Sequence, residues 1–202
     1  MILGISGKIE TGKDTLAKMI IDSRAAMNEN WKIKKFGGKL KQIVAILIGC
    51  TVDDLESHDF KNKKLGKDWD RMTSVVDPHS FLFSKVLSGY TVRDVLQIVG
   101  TEAMRDNLHK DVWVNALASD FRPGDNWIIT DVRFENEAMA IKRWGGMLVR
   151  IDRPSLMPND HISETALDDF KSFDLIVNND GDEVRLYEFA ELISFELGNK
   201  YL

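Results

Sequence analysis

Seven residues near the start of the chain carry the types and spacing that grip a phosphate. They run Gly7-Lys8-Ile9-Glu10-Thr11-Gly12-Lys13, followed by Asp14-Thr15. An apolar run, Ile2-Leu3-Gly4-Ile5, precedes them, and Leu16-Ala17-Lys18-Met19-Ile20-Ile21 follows at helical spacing. Strand, glycine turn and helix is the context in which backbone N–H groups converge on one anion and a helix N-terminus adds partial positive charge. Gly7, Lys8, Thr11, Gly12, Lys13, Asp14 and Thr15 are therefore assigned to the phosphate donor, with Lys13 supplying a full charge near the transferred group. The residue after the lysine is Asp14, where a hydroxyl that ligates Mg²⁺ is usual, and Thr15 comes one place later. Asp14 could hold the metal through its carboxylate, directly or through water, or it could only cap the helix.

Phosphoryl transfer asks a protein for alignment and cancellation of negative charge. Further cations and a metal-holding carboxylate are thus sought along the chain. Asp131, at the end of the run Trp127-Ile128-Ile129-Thr130, is a second candidate for Mg²⁺ or for orienting the nucleophile. Arg133 can grip an acceptor phosphate or pair with Glu135 or Glu137. Arg150 and Arg153 flank Asp152 before a proline-bounded loop, the form of a lid that covers a transition state. Arg93 and Gln97, four apart, share a helix face, with Gly100, Thr101 and Arg105 beyond them. These five, with Lys39, form the expected acceptor set. His161 and Glu164 are weak as a metal pair, because no second histidine lies at ligand spacing. Contact with substrate, or a helix cap, is the better reading of that histidine.

Elements must position these groups. Strands are expected at 1–6, 33–36, 126–130, 147–151 and 174–177. Helices are expected at 13–27, 38–48, 91–99, 109–120, 134–144 and 183–197, with a capped helix start at 51–55. Gly100 should end or interrupt the 91–99 helix. Strands alternating with helices imply a three-layer α/β fold, a mostly parallel sheet of about five strands with helices on both faces. Ligands then bind beyond the carboxyl ends of the strands. Residues 57–80 interleave Lys61, Lys63, Lys64 and Lys67 with Asp59, Asp68 and Asp70 without apolar periodicity, and read as a surface insertion or mobile segment. One domain of 202 residues is expected, with a helical or loop insertion at about 50–110 and a lid-like loop at about 152–163.

The bulk composition narrows the class. A hydrophobic share of 44% and a charged share of 29% are those of a globular protein. The net charge of −5 argues against nonspecific nucleic-acid binding. The single Cys50 lies in an apolar run and allows neither an intramolecular disulfide nor a cysteine-rich metal site. With no spanning stretch and no signal-like leader, no membrane association is expected and the expected location is a cytoplasm.

The same residues resemble the bacteriophage deoxynucleoside monophosphate kinase family, of the P-loop kinase superfamily. The likeness lies in Gly12-Lys13-Asp14-Thr15; Arg93-x3-Gln97-x2-Gly100-Thr101 with Trp113 following; Asp131-x-Arg133-x3-Glu137; Arg153-Pro154 leading to His161-Ile162-Ser163-Glu164; and the turn Asn178-Asn179-Asp180-Gly181. The resemblance implies the P-loop kinase fold, with ATP and Mg²⁺ as phosphate donor and metal. It implies transfer of the γ-phosphate to a deoxynucleoside 5′-monophosphate, with Trp113, His161 and Glu164 on the acceptor side. It also implies a place in DNA precursor supply, in the host cytoplasm for a phage-encoded chain, and is compatible with a homodimer. From the residues alone, a kinase of another small acceptor such as dephospho-coenzyme A remains open, as does a nucleotide-binding switch without transfer chemistry.

Overall fold

The computed structural model describes residues 1–77, 80–87, 89–153 and 165–200. They divide into two compact units, Met1–Phe36 with Trp113–Leu202, and Gly37–Val112. The expected insertion at about 50–110 falls within the second unit, which begins earlier, at Gly37.

The first unit is built on a five-stranded parallel sheet. Its strands are β1 (Ile2–Ser6), β2 (Trp31–Lys34), β5 (Asn126–Val132), β6 (Met147–Asp152) and β7 (Leu175–Asn178), in the spatial order β2-β5-β1-β6-β7. The expected α/β fold is present. Both faces of the sheet are covered, so the central strands are apolar at nearly every position. Leu3, Ile5, Val149 and Ile151 join Leu16, Ala17 and Ile20 of α1 (Lys13–Ala25), and Leu186, Ala190, Ile193 and Leu197 of the last helix (Glu183–Lys200), in one buried cluster. Gly4 points to the opposite face, where an added Cβ would meet Ile141 of a further helix (Glu135–Arg143) and Leu148.

The second strand lies two residues earlier than the expected 33–36, because Trp31 is the residue the sheet buries and Phe36 has already left the ladder. Behind β2, Arg24 is 3% exposed. Its guanidinium pairs with Glu29 and donates to the Ser194 carbonyl at 2.8 Å. Burial alone would raise the Glu29 carboxyl. Hydrogen bonds from Arg24 and from Trp31 more than reverse this and hold it below the ordinary value of 4.5. The native state therefore gains stability from this carboxylate above that value and loses it as pH falls through the lowered one. Arg24→Met is expected to cost about 2–3 kcal/mol at pH 7 in denaturant melts and to flatten the loss of stability below about pH 4.5.

The second unit carries α2 (Gly38–Ile48), a 3₁₀ turn at Asp54–Glu56, α3 (His58–Lys61), a second 3₁₀ turn at Lys67–Trp69, the antiparallel hairpin β3 (Arg71–Asp77) and β4 (Ser80–Leu87), and α4 (Val92–Gln97). Its core joins Val44 and Ala45 to Leu55, Val92 and Val95. This shared core is why α2 belongs with the insertion rather than with the sheet. Residues 51–55 start only a 3₁₀ turn, and within 57–77 the chain forms α3, the second 3₁₀ turn and β3. The hairpin is not expected from the sequence, because a lysine and aspartate run adjoins the stretch rich in β-branched and aromatic types, Thr73, Val75, Val76, Phe81, Phe83 and Val86.

α4 begins as expected. Thr91 Oγ1 accepts from the Asp94 N–H at 3.2 Å, and Asp94 accepts from the Thr91 N–H at 2.8 Å, a capping box. The regular α-helix is interrupted before Gly100 rather than ended at it. The coil widens into π-type turns over Ile98–Asp106, and Gly100 sits so close to α2 that a Cβ would lie 2.8 Å from Leu40 Cδ2. In the first unit, α5 (Val112–Ala118) and α6 (Glu135–Arg143) are each shorter than expected, and the last helix, α7 (Glu183–Lys200), is longer.

Candidate active site

The strand order reverses at β1, which lies between β5 and β6. Connections leave such a point in opposite directions and open a crevice at the carboxyl ends of the strands. Ser6, the last residue of β1, is in register with Val132 of β5 and Arg150 of β6. The glycine loop, the Asp131–Arg133 segment and Arg150 thereby meet at one edge of one sheet. The β1–β5 register also shifts by one residue between Gly4 and Ser6, a bulge on β5 just before Val132.

The loop from Gly7 to Gly12 closes on itself. Thr11, 1% exposed, donates its hydroxyl to the Lys8 carbonyl at 2.9 Å. The Lys13 ammonium donates to the same carbonyl and lies 3.5 Å from Thr11 Oγ1. Two glycines are required by the space and the backbone. A Cβ on Gly7 would collide with the Ile151 carbonyl of β6. Gly12, the N-cap of α1, has φ +95° and ψ 14°, and a Cβ there would lie 2.7 Å from Asn179 Nδ2. Asp14 and Thr15 are exposed in the first turn of α1.

Two struts, from the ends of β7 and β6, hold the loop. Asn179, 7% exposed, donates Nδ2 to the Thr11 carbonyl at 2.8 Å, while its Oδ1 accepts from the Gly181 N–H at 3.0 Å. In the sequence, Asn179 reads as part of a turn and not as part of the site. The missed signal is a buried Asn following a strand at the loop end of the sheet. Asn179→Ala is expected to lower stability by about 1–3 kcal/mol, because it strands the Thr11 carbonyl, and to weaken nucleotide binding. Thermal melts and ATP titration check both effects. The second strut is Arg153, whose Nη1 donates to the Glu10 carbonyl at 3.2 Å. Its buried Nε has no hydrogen-bond partner among the described residues.

Arg150 is held differently. Its Nε donates to Asp152 at 2.8 Å, Nη1 to the Leu167 carbonyl at 2.7 Å and Nη2 to Asp168 at 2.8 Å. Asp168 also pairs with Lys8 of the loop at 3.2 Å. Burial pushes the Asp168 carboxyl up, but Arg150 and Lys8 more than reverse this and keep it below the ordinary carboxylate range. Across β1, Asp131 accepts from the Phe36 N–H at 2.8 Å, which fixes the exit of β2. Glu137, 3% exposed, accepts from the Arg133 and Phe134 N–H groups at 2.9 and 3.2 Å and so sets the turn that carries Arg133.

Of the expected acceptor residues, Lys39, Arg93, Gln97, Gly100, Thr101 and Arg105 lie in the second unit, on α2, α4 and the π-type turns. Arg93 Nε donates to Asn62 at 3.1 Å. Trp113 lies on α5 in the first unit and is 4% exposed, a core side chain. His161, Glu164 and most of the lid-like loop at 152–163 fall outside the described residues. Among the described residues, no group of three or more His, Cys, Asp or Glu side chains is placed to hold a metal. No described helix is long and apolar enough to cross a membrane.

The sequence model of deoxynucleotide monophosphate kinases matches residues 75–189. A protein of Acanthamoeba polyphaga mimivirus named for deoxynucleotide monophosphate kinase is 30% identical over 193 residues, covering 89% of this chain and 88% of its own length. The chain belongs to the deoxynucleotide monophosphate kinase family. It is thus a kinase, a phosphotransferase, and such an enzyme takes a nucleotide phosphate donor. Two phage relatives agree. The deoxynucleotide monophosphate kinase of Enterobacteria phage T4 is 32% identical over 104 residues, covering 48% of this chain and 43% of its own length. The deoxynucleoside-5′-monophosphate kinase of Escherichia phage T5 is 22% identical over 250 residues, covering 95% and 96%.

Proposed function

We propose that this kinase transfers the γ-phosphate of ATP to a deoxynucleoside 5′-monophosphate in the presence of Mg²⁺. The observation that carries the reading is the loop at the tip of β1, with Lys13 on the first turn of α1 and Asp131, Arg133 and Arg150 brought to the same sheet edge by register. The family names of its relatives supply the acceptor class.

The donor set fits ATP. Gly7 and Gly12 leave room where a Cβ would close the loop, and the α1 N-terminus adds partial positive charge. Lys13 can exchange the Lys8 carbonyl for a donor phosphate oxygen. Magnesium usually keeps several waters and takes one or two carboxylates together with substrate phosphates, so the exposed Asp14 and the edge residue Asp131 suit it better than a closed cage would. When bound, the ion neutralises charge on the donor phosphates. The acceptor's phosphate oxygen attacks the γ-phosphorus as the bond to the β,γ-bridging oxygen breaks, giving ADP and a deoxynucleoside diphosphate. Arg133 holds the acceptor phosphate, and Arg153, already on the loop, is the arginine best disposed to donate to the transferring group. Arg150, its donors committed to Asp152, Asp168 and Leu167, acts through the position of β6 and the loop. Lys39, Arg93, Gln97, Gly100, Thr101 and Arg105 are the acceptor residues proposed in the second unit.

A coupled ADP-release assay across deoxy- and ribonucleoside monophosphates tests the reading. Turnover with one or more deoxy forms is expected. Folded protein with Mg-ATP that phosphorylates none of them would overturn it, and phosphorylation of dephospho-coenzyme A in that case would point to the other small-acceptor reading.

A further inference from the structure

Asp168 lies outside every motif that the sequence offers for the site, yet it touches the phosphate loop. One carboxylate oxygen is 3.2 Å from Lys8 Nζ and the other accepts from Arg150 Nη2 at 2.8 Å. Arg150 is anchored twice more, by Asp152 and by the Leu167 carbonyl, and its side chain is only 12% exposed. One end of this bridge is therefore rigid. The other end is Lys8, whose carbonyl is the acceptor for both Thr11 Oγ1 and the Lys13 ammonium. A path of direct contacts thus runs from β6 through Arg150, Asp168 and Lys8 to Lys13.

We infer that Asp168 is a positioning residue for the donor site, a carboxylate that clamps the entry of the phosphate loop to β6 through Lys8 and Arg150. The inference rests on the reading of this loop as the ATP site. The physical reason is preorganisation. An anion cradle binds well when its N–H groups are already aimed, and a lysine second in the loop would otherwise swing with its own ammonium. Asp168 also supplies the negative charge beside two cations, so that Lys8 is held at the side of the loop rather than folded across the site that Lys13 serves. Side-chain exposures of 34% for Lys8 and 38% for Asp168 keep the bridge in the range of a partly screened ion pair rather than a buried one.

The test is titration of Mg-ATP into the full chain by calorimetry, together with steady-state kinetics. Asp168→Asn keeps the shape and removes the charge. It is expected to weaken Mg-ATP binding and raise the KM for ATP by about fivefold. The KM for the best acceptor among the deoxynucleoside monophosphates, and kcat, should change by less than about twofold. Asp168→Glu should recover most of the loss. Lys8→Met should weaken Mg-ATP binding similarly, and the double variant should be no weaker than either single one, because both remove the same bridge. Thermal melts of each variant check folding, and the half-buried Lys8 position provides a second reading should the Asp168 variants melt early. Unchanged ATP affinity in Asp168→Asn and Lys8→Met, with wild-type protein binding ATP, would overturn the inference alone. Wild-type protein that binds no ATP would overturn it together with the reading of the loop.

Discussion

Lys13→Ala is expected to lower kcat by roughly 100-fold or more while leaving a cooperative thermal transition. The ammonium is the full positive charge carried on the first turn of α1, beside the closed loop. It donates to the Lys8 carbonyl and lies near Thr11 Oγ1, partners that can be exchanged for phosphate oxygens without rebuilding the backbone. Such a charge is worth most where negative charge gathers during transfer, so its loss should fall on kcat more than on the KM for ATP. Lys13→Arg should not restore the rate, because a planar fork cannot take the place of a compact ammonium within a loop this tight. Single-turnover measurement of phosphoryl transfer at saturating ATP is the deciding experiment, and a near wild-type rate in Lys13→Ala would remove the loop from the chemistry.

Gly12→Val should abolish measurable transfer and also destabilise the fold by about 2–3 kcal/mol. Two independent costs meet at this residue. The backbone stands at φ +95°, which a β-branched residue resists. The new Cβ would also lie 2.7 Å from Asn179 Nδ2, on the group that donates to the Thr11 carbonyl. Relief of the clash moves Asn179 away and frees the loop that Thr11 closes. Denaturant melts and a nucleotide titration separate the two effects. A variant that loses nucleotide binding but keeps wild-type stability would show that the Asn179 strut carries little of the fold.

The sequence was most legible where chemistry and local geometry coincide. The glycine loop needs its residues in one contiguous stretch, so Gly7 to Thr15 could be read directly. The capping box of Thr91 and Asp94 is equally local, and both of its hydrogen bonds are present. The sheet followed from the alternation of apolar runs with helical periods. The hairpin β3–β4 is hard to read from sequence because a lysine-rich segment of high charge density precedes it and its signal lies in residue type rather than in periodicity. The widened turns at Ile98–Asp106 were not legible either, since the approach of Leu40 to Gly100 depends on packing between α2 and the chain sixty residues later.

By itself the sequence determined the parallel sheet, the glycine turn between its first strand and first helix, and the identity of the cations near that turn, because propensity, periodicity and motif spacing act within a few residues of one another. Only the tertiary structure decided how those cations are used. It fixed Arg150 among Asp152, Asp168 and Leu167, laid Arg153 on the Glu10 carbonyl, and brought Asn179 and Asp168 to the loop from more than 150 residues away along the chain. The reason is that hydrogen-bond partners are chosen by distance in space, and a strand order that places β6 beside β1 and β7 beside β6 sets those distances with no trace in local sequence.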